Sequence, residues 1–426
     1  MNTILAQKFE NKLLGEIRDK FEYVDSDPYS GRRVYFENGG GSLTLKSVIE
    51  QSSHLMALGD ASDRLNPAAL NLNQLINKGF SAVRCFMGAE RSDGQLVSAA
   101  TGTDLLFRLI RVILMNAGDG NVVSSDLEHP ATRDAAYYFS KKYNKDWRSV
   151  PINPKSASVT AEDYTALVTH ETCLVTIIHT SHVTGMTVDL IEITSAIRKI
   201  SPDCFIVCDG IQHAPHSVTD APGSGVDAYV FAPYKAFSHH GVAFGWISDR
   251  LSSLEHEKLT GSRANNWSLG QRNPGAISAQ YMVENYLLWL GNKFTNAKKK
   301  RNCIIAAMDA ISRHEASLIQ YLIEGDARLL GLKNLDGVSV IGQPHNENRE
   351  GAVSFSVNKL ESATVVDRLE KRGIRTYCRK SDVYSGHILK SIGQSSCVRV
   401  SFAHYNSIEE VKVFLSKFSE ILKEAY

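Results

Sequence analysis

The chain has no excess of either charge, no long apolar run and no cysteine framework, and each shortage removes a class of function. Its 47 Lys and Arg balance 46 Asp and Glu, for a formal net charge of +1. Nucleic acid and anionic membrane call for a marked basic excess or stripe, so neither is expected as a partner. The one basic run, Ala297 to Arg301 (AKKKR), is short and reads as a solvated helix face. No segment reaches about 18 uninterrupted apolar residues, and charged residues such as Lys8, Glu10 and Lys12 break the first two dozen, so neither a membrane span nor a signal peptide is expected. The seven cysteines are scattered and odd in number, which suits a reduced cytoplasm rather than a disulfide scaffold. Seven of the fourteen histidines fall between positions 170 and 240, yet neither His213-x-x-His216 nor His239-His240 has the spacing of a zinc site, and no metal is expected.

What is present is one acid and one lysine where a buried sheet has no structural use for them. Phe205 to Cys208 reads as a parallel strand covered on both faces, with Asp209 at its carboxyl end, where open α/β sheets bind ligands. Ala228 to Phe231 reads as the next strand and leads through Tyr234 to Lys235. The pair is either a structural ion pair or a site: lysine there is a candidate Schiff-base nucleophile, and an ionised acid can hold a pyridine nitrogen protonated. With 426 residues, one large and one smaller unit are expected.

Asp209-Gly210-Ile211-Gln212 followed by Tyr234-Lys235 resembles the class V aminotransferases, which include the cysteine desulfurases. The resemblance spans about residues 30 to 420 and implies a fold-type I enzyme dependent on pyridoxal 5'-phosphate. Its expected architecture is α/β: a terminal helix over residues 1 to 30, a large domain with a mainly parallel sheet over 31 to 292, and a small α/β domain over 293 to 426. It further implies that Lys235 carries the cofactor and that Asp209, Gln212 and Tyr234 surround it. Thr101-Gly102-Thr103-Asp104 opens a helical pattern and could be a plain N-cap or an anion site. Its similarity to the family's Gly-Thr-Thr-Glu assigns Gly102 and Thr103 to the cofactor phosphate. Glu128-His129 resembles the signature in which the imidazole stacks on the pyridine. His182 stands where the family has an asparagine that bonds the phenolic oxygen, and Gln271 where it has a threonine that reaches the partner subunit's phosphate. Val398-Arg399 and Tyr405-Asn406 resemble the C-terminal motif whose arginine binds the α-carboxylate, making Arg399 the substrate anchor; Asn38, before Gly39-Gly40-Gly41, is placed near the substrate.

The same resemblance implies a homodimer with its site at the interface and a small amino acid as substrate. Desulfurases of this family place a nucleophilic cysteine in a loop where this chain has Asp382 or Val383, and Cys378 comes too early unless the loop is rebuilt and Arg375, Arg379 and Lys380 lower its pKa. The Tyr384-Ser385-Gly386-His387 loop looks more like the desulfurase-like proteins than the desulfurases. A carbon-sulfur lyase acting by β-elimination is therefore the first expectation. The alternatives are an aminotransferase or epimerase, a desulfurase using Cys378, and a non-catalytic cofactor-binding regulator.

Overall fold

The structure, a computed structural model, describes residues 7–59, 64–90, 94–270, 273–342 and 348–425. A seven-stranded sheet is built from β1 (Gln95–Ala99), β2 (Asn121–Ser125), β3 (Asp146–Val150), β4 (Thr172–Ile178), β5 (Phe205–Asp209), β6 (Ala228–Phe231) and β7 (Ala243–Ile247). The strands lie in the order β1-β7-β6-β5-β4-β2-β3. β2 to β6 run parallel, and β7 runs against both its neighbours. A parallel strand covered on both faces must be apolar at nearly every position, and β5 is buried from Ile206 to Asp209.

Six helices frame the sheets: α1 (Asn11–Arg18), α2 (Gly102–Asn116), α3 (Pro130–Lys142), α4 (Leu190–Ile200), α5 (Lys300–Glu324) and α6 (Ile408–Lys423). α2 and α3 close one face of the large sheet over Leu105, Leu109, Ala135 and Val207. α4 and the first half of α5 belong to the core that contains Val175 and Ile206. The second half of α5 crosses into another core, shared with α6 and an antiparallel sheet of β8 (Val338–Val340), β9 (Ala352–Val357), β10 (Tyr377–Lys380) and β11 (Ser396–Ser401), ordered β8-β9-β11-β10.

Two sequence expectations give way to long-range contacts. The terminal helix was expected within residues 1 to 30, but it occupies only Asn11–Arg18, and residues 1–6 lie outside the described part. Gln7 and Phe9 donate their amides to Arg313 O and His314 Nδ1 on α5, which holds the segment extended. In the AKKKR run, Lys298, Lys299 and Lys300 are exposed, but Arg301 reaches back to the carbonyls of Cys85, Phe86 and Thr219. That guanidinium is a clamp between elements rather than part of a solvated face. Among the described residues no helix is long and apolar enough to cross a membrane.

The turn leaving β5 is tightly packed. A Cβ on Gly210 would lie 2.1 Å from the Tyr229 ring, which is itself buried and bonded to His179. Gly210→Ala is expected to cost at least about 1–3 kcal/mol, the range of overpacked cores, read as a lower denaturant midpoint. An unchanged midpoint would show that the ring can move aside.

Candidate active site

The carboxyl ends of β5 and β6 bring Asp209 and Lys235 to one cleft of about 390 Å3. Asp209 pairs in register with Ile178 on β4 and Val230 on β6, so it sits at the centre of the sheet edge. Its Oδ1 accepts from the Ile211 amide at 3.0 Å and its Oδ2 from the Thr132 hydroxyl at 3.3 Å. Burial raises its pKa, and the Ile211 amide and the Lys235 charge oppose the rise. Lys235 follows β6 in a single 3-10 turn, is only 8% exposed, and donates to Gln212 Oε1 at 2.7 Å. Burial, then Arg399 and Arg379, push its amine down to about 7, with Asp209 pulling the other way. An amine poised there gains and loses a proton near neutrality, as a nucleophile and proton carrier must.

Glu128 lies behind Asp209 and was not singled out from sequence. It is fully buried, and its Oε1 accepts from the Ile178 amide at 2.8 Å. Burial and the Asp209 charge hold it well above the usual carboxylate range. Burial raises both neighbouring acids, Glu128 the further, so Asp209 is the readier of the two to ionise. The position of Glu128 beside His129 was the only available signal.

His129 caps α3, with Nδ1 accepting from the Ala131 amide at 3.1 Å. Burial, assisted by Lys235 and Arg379, lowers its pKa to about 3, so the ring that lines the cleft is neutral. It stands edge-on to His182 at 4.7 Å. His182 Nε2 donates to the Tyr384 carbonyl at 2.9 Å, and its buried Nδ1 has no partner. Burial keeps this imidazole uncharged, so its one proton is already committed and it offers a lone pair, not the donor that the asparagine position suggested. The Tyr384-Ser385-Gly386-His387 loop closes this side: His387 Nε2 donates to the Glu128 carbonyl and Arg379 to Ser385 Oγ.

At the other end of the cleft, Thr101 caps α2 by accepting from the Asp104 amide at 3.0 Å. The Gly102 and Thr103 amides, in the helix's first turn, therefore keep no intrahelical acceptor and sit at its positive end. Tyr234 also lines the cleft and stacks on His240 at 4.1 Å, a residue weighed from sequence only as half of a metal pair. Gln271 lies outside the described residues.

Arg399 is 1% exposed and donates from Nη1 to the His182 carbonyl at 2.6 Å, while its Nε has no partner. Arg379, also buried, shares that carbonyl at 3.3 Å. Burial and Arg379 lower the Arg399 pKa to about 9. The glycine turn earns its residues here: a Cβ on Gly39 would lie 2.8 Å from Arg399 Cζ. Asn38 turns its amide into the protein, donating to the Ser401 carbonyl at 2.9 Å and accepting from the Tyr405 hydroxyl, so it ties the turn to the C-terminal motif.

Comparison with known proteins follows this geometry. The sequence profile described as Aminotransferase class-V matches residues 34–414. The chain belongs to the class V aminotransferase family. Its relatives include the cysteine desulfurase-like protein ustD of Aspergillus flavus, 26% identical over 92% of this chain and 88% of that protein. A probable cysteine desulfurase of Borreliella burgdorferi is 23% identical over 99% of this chain and 94% of its own. Among solved structures, a cysteine desulfurase from Thermococcus onnurineus superposes with a TM-score of 0.80 at 19% identity, covering 99% of this chain and all of that one. Class V aminotransferases of this kind are pyridoxal-phosphate enzymes, and this chain is one of them. Its residues fit the cofactor: a buried amine near neutrality, a buried carboxylate at the sheet centre, an uncharged imidazole between them and the loop, and free helix amides for a phosphate.

Proposed function

We propose that this chain is a carbon-sulfur lyase that removes the β-substituent of an amino acid such as a cysteine conjugate, acting in the cytoplasm as a homodimer. Bound pyridoxal phosphate would supply an electron sink conjugated with the amino acid's Cα through the amino nitrogen. Lys235 would hold the cofactor through its amine and, once the substrate's amine takes its place and frees it, take the Cα proton. Asp209 would hold the ring nitrogen, His129 would cover the ring, the Gly102 and Thr103 amides would take the phosphate, and Arg399 would take the α-carboxylate in a fork suited to two oxygens. As the Cα–H bond breaks, its electron pair moves toward Cβ and the Cβ–S bond breaks with it; the thiolate leaves, and the released enamine hydrolyses to pyruvate and ammonium.

The observation that carries this reading is the direction of Cys378. On β10 it pairs with Val398, which is buried in the core beneath the small sheet, whereas its neighbour Tyr377 pairs with Arg399. Successive strand residues point to opposite faces, so the thiol faces away from Arg399. Burial raises its pKa, with Lys380 opposing, as for a strand thiol rather than one activated by nearby cations. Asp382 and Val383 occupy the expected nucleophile slot with no thiol. Cys378→Ser is expected to keep most of the turnover, and the parent protein to yield pyruvate and ammonia, measured by coupled assays. Alanine as product, with turnover lost in Cys378→Ser, would make the protein a desulfurase with a relocated nucleophile. The dimer is supported by exposed apolar side chains such as Met56, Leu65 and Leu70. The cytoplasmic assignment is supported by seven cysteines that are all free.

A further inference from the structure

Behind Gln212, which lines the cleft beside Lys235, buried side chains continue away from the cleft to residues that do not line it. Lys235 Nζ donates to Gln212 Oε1 at 2.7 Å; Gln212 Nε2 lies 3.3 Å from His216 Nε2; His216 Nδ1 lies 2.7 Å from Glu315 Oε2 on α5. Gln212, His216 and Glu315 are each no more than 3% exposed. With Lys235 as the ammonium and Glu315 as the carboxylate, the donors and acceptors permit one assignment. A lysine ammonium can only donate, so the amide oxygen of Gln212 faces Lys235 and its NH2 faces His216. His216 must then accept at Nε2 and carry its proton on Nδ1, where the Glu315 carboxylate receives it.

A buried His-Glu pair can simply tie a helix to a turn. Two features point beyond that. Gly351, at φ +60°, lies so close over the ring that a Cβ there would be 2.2 Å from His216 Cε1, so the imidazole packs directly on a backbone that only glycine can supply. Glu315 gives the imidazole its one hydrogen bond at Nδ1, so the choice of tautomer rests with Glu315. An amide is reversible by a half-turn, and a wrong tautomer at His216 would turn it: the NH2 would then face the ammonium.

The geometry points to His216 and Glu315 as positioning residues that fix which end of the Gln212 amide meets Lys235, so that the reactive amine finds an acceptor and not a donor. This rests on the reading of Lys235 as the amine that holds the cofactor. The charged groups acting on Lys235, namely Arg399, Arg379 and Asp209, and the neutral His129, make no hydrogen bond to Gln212 and form a constant background. Histidine tautomers are selected by such partners.

The test uses the full chain with and without cofactor. In the parent protein, nitrogen-15 spectra of labelled histidine are expected to show the Nδ1–H tautomer at His216; an Nε2–H tautomer overturns the assignment outright. In the cofactor-free chain, the pH dependence of Lys235 acetylation by acetic anhydride, read by peptide mass, reports the amine. Glu315→Met removes the acceptor and is expected to lower that midpoint by about one pH unit, the scale of one hydrogen bond to a charged group. Glu315→Gln restores an acceptor and is expected to restore the midpoint. In a Gln212→Ala background, Glu315→Met is expected to move it no further, since the intermediary is gone. A Glu315→Met protein that melts lower with its midpoint unchanged would show a merely structural pair. Should that variant fail to fold, the parent tautomer still decides. Borohydride mapping of the cofactor to Lys235 is independent of all these readouts, so failure of the underlying reading is recognised separately.

Discussion

Lys235→Ala is expected to bind pyridoxal phosphate without fixing it, so that borohydride labels the peptide around position 235 in the parent protein and no peptide in the variant. Turnover is expected to fall by about 10²–10⁴-fold, the contribution of a positioned proton carrier, and by more where covalent attachment itself is needed. A variant that still turns over at the parent rate would remove Lys235 from the mechanism. The same side chain weakens the cofactor-free fold. Its amine is held at about 7 in the native state against 10.5 for the free group, so between those values the unfolded chain binds more protons. Stability therefore rises with pH across that window, and the penalty is complete below about pH 7. At neutral pH it is on the order of a few kcal/mol. Cofactor-free Lys235→Met is expected to melt above the parent near pH 7, with the gap closing toward pH 10.

Arg399→Ala is expected to weaken amino-acid binding by roughly hundreds-fold or more, while cofactor affinity changes little. Removing one partner of a buried charge pair costs about 3–5 kcal/mol, and here the partner left behind would be the substrate carboxylate. Titrating the cofactor's visible band with amino acids separates the two affinities. The guanidinium touches His182 and the glycine turn but no cofactor-lining amide, which is why the effect is expected on one ligand and not on the other. Equal amino-acid binding by parent and variant would leave Arg399 a purely structural residue.

The elements that place the chemistry were legible because their signals are local. β5, β6 and α4 follow from apolar runs and helical spacing, and Asp209 and Lys235 stand out as charges at strand ends. Glu128 and Arg379 were not assigned to the site because a charged residue in a loop or strand end looks the same whether it meets water or protein; their roles exist only once burial has removed the water. The direction of Cys378 depends on the register between β10 and β11, set by pairing across about twenty residues of intervening chain. In the histidine-rich stretch, His213 pairs with Glu350 and His216 with Glu315, acids over 95 residues away. Distance along the chain concealed these partners.

Lys235, Arg379 and Arg399 are three cations buried near one another, and among the described residues none forms an ion pair. On the proposed reading the counter-charge comes with the guests: an amino-acid carboxylate at Arg399, and a cofactor whose phosphate ester goes to the Gly102 and Thr103 amides. Each guest is therefore also a folding ligand: at a hundred times its dissociation constant it adds about 2.7 kcal/mol to the native state. Proteases in a cell sample the opened fraction, and a change of that size alters abundance several-fold. The abundance of this protein is therefore expected to fall in cells starved of vitamin B6, as immunoblotting would show.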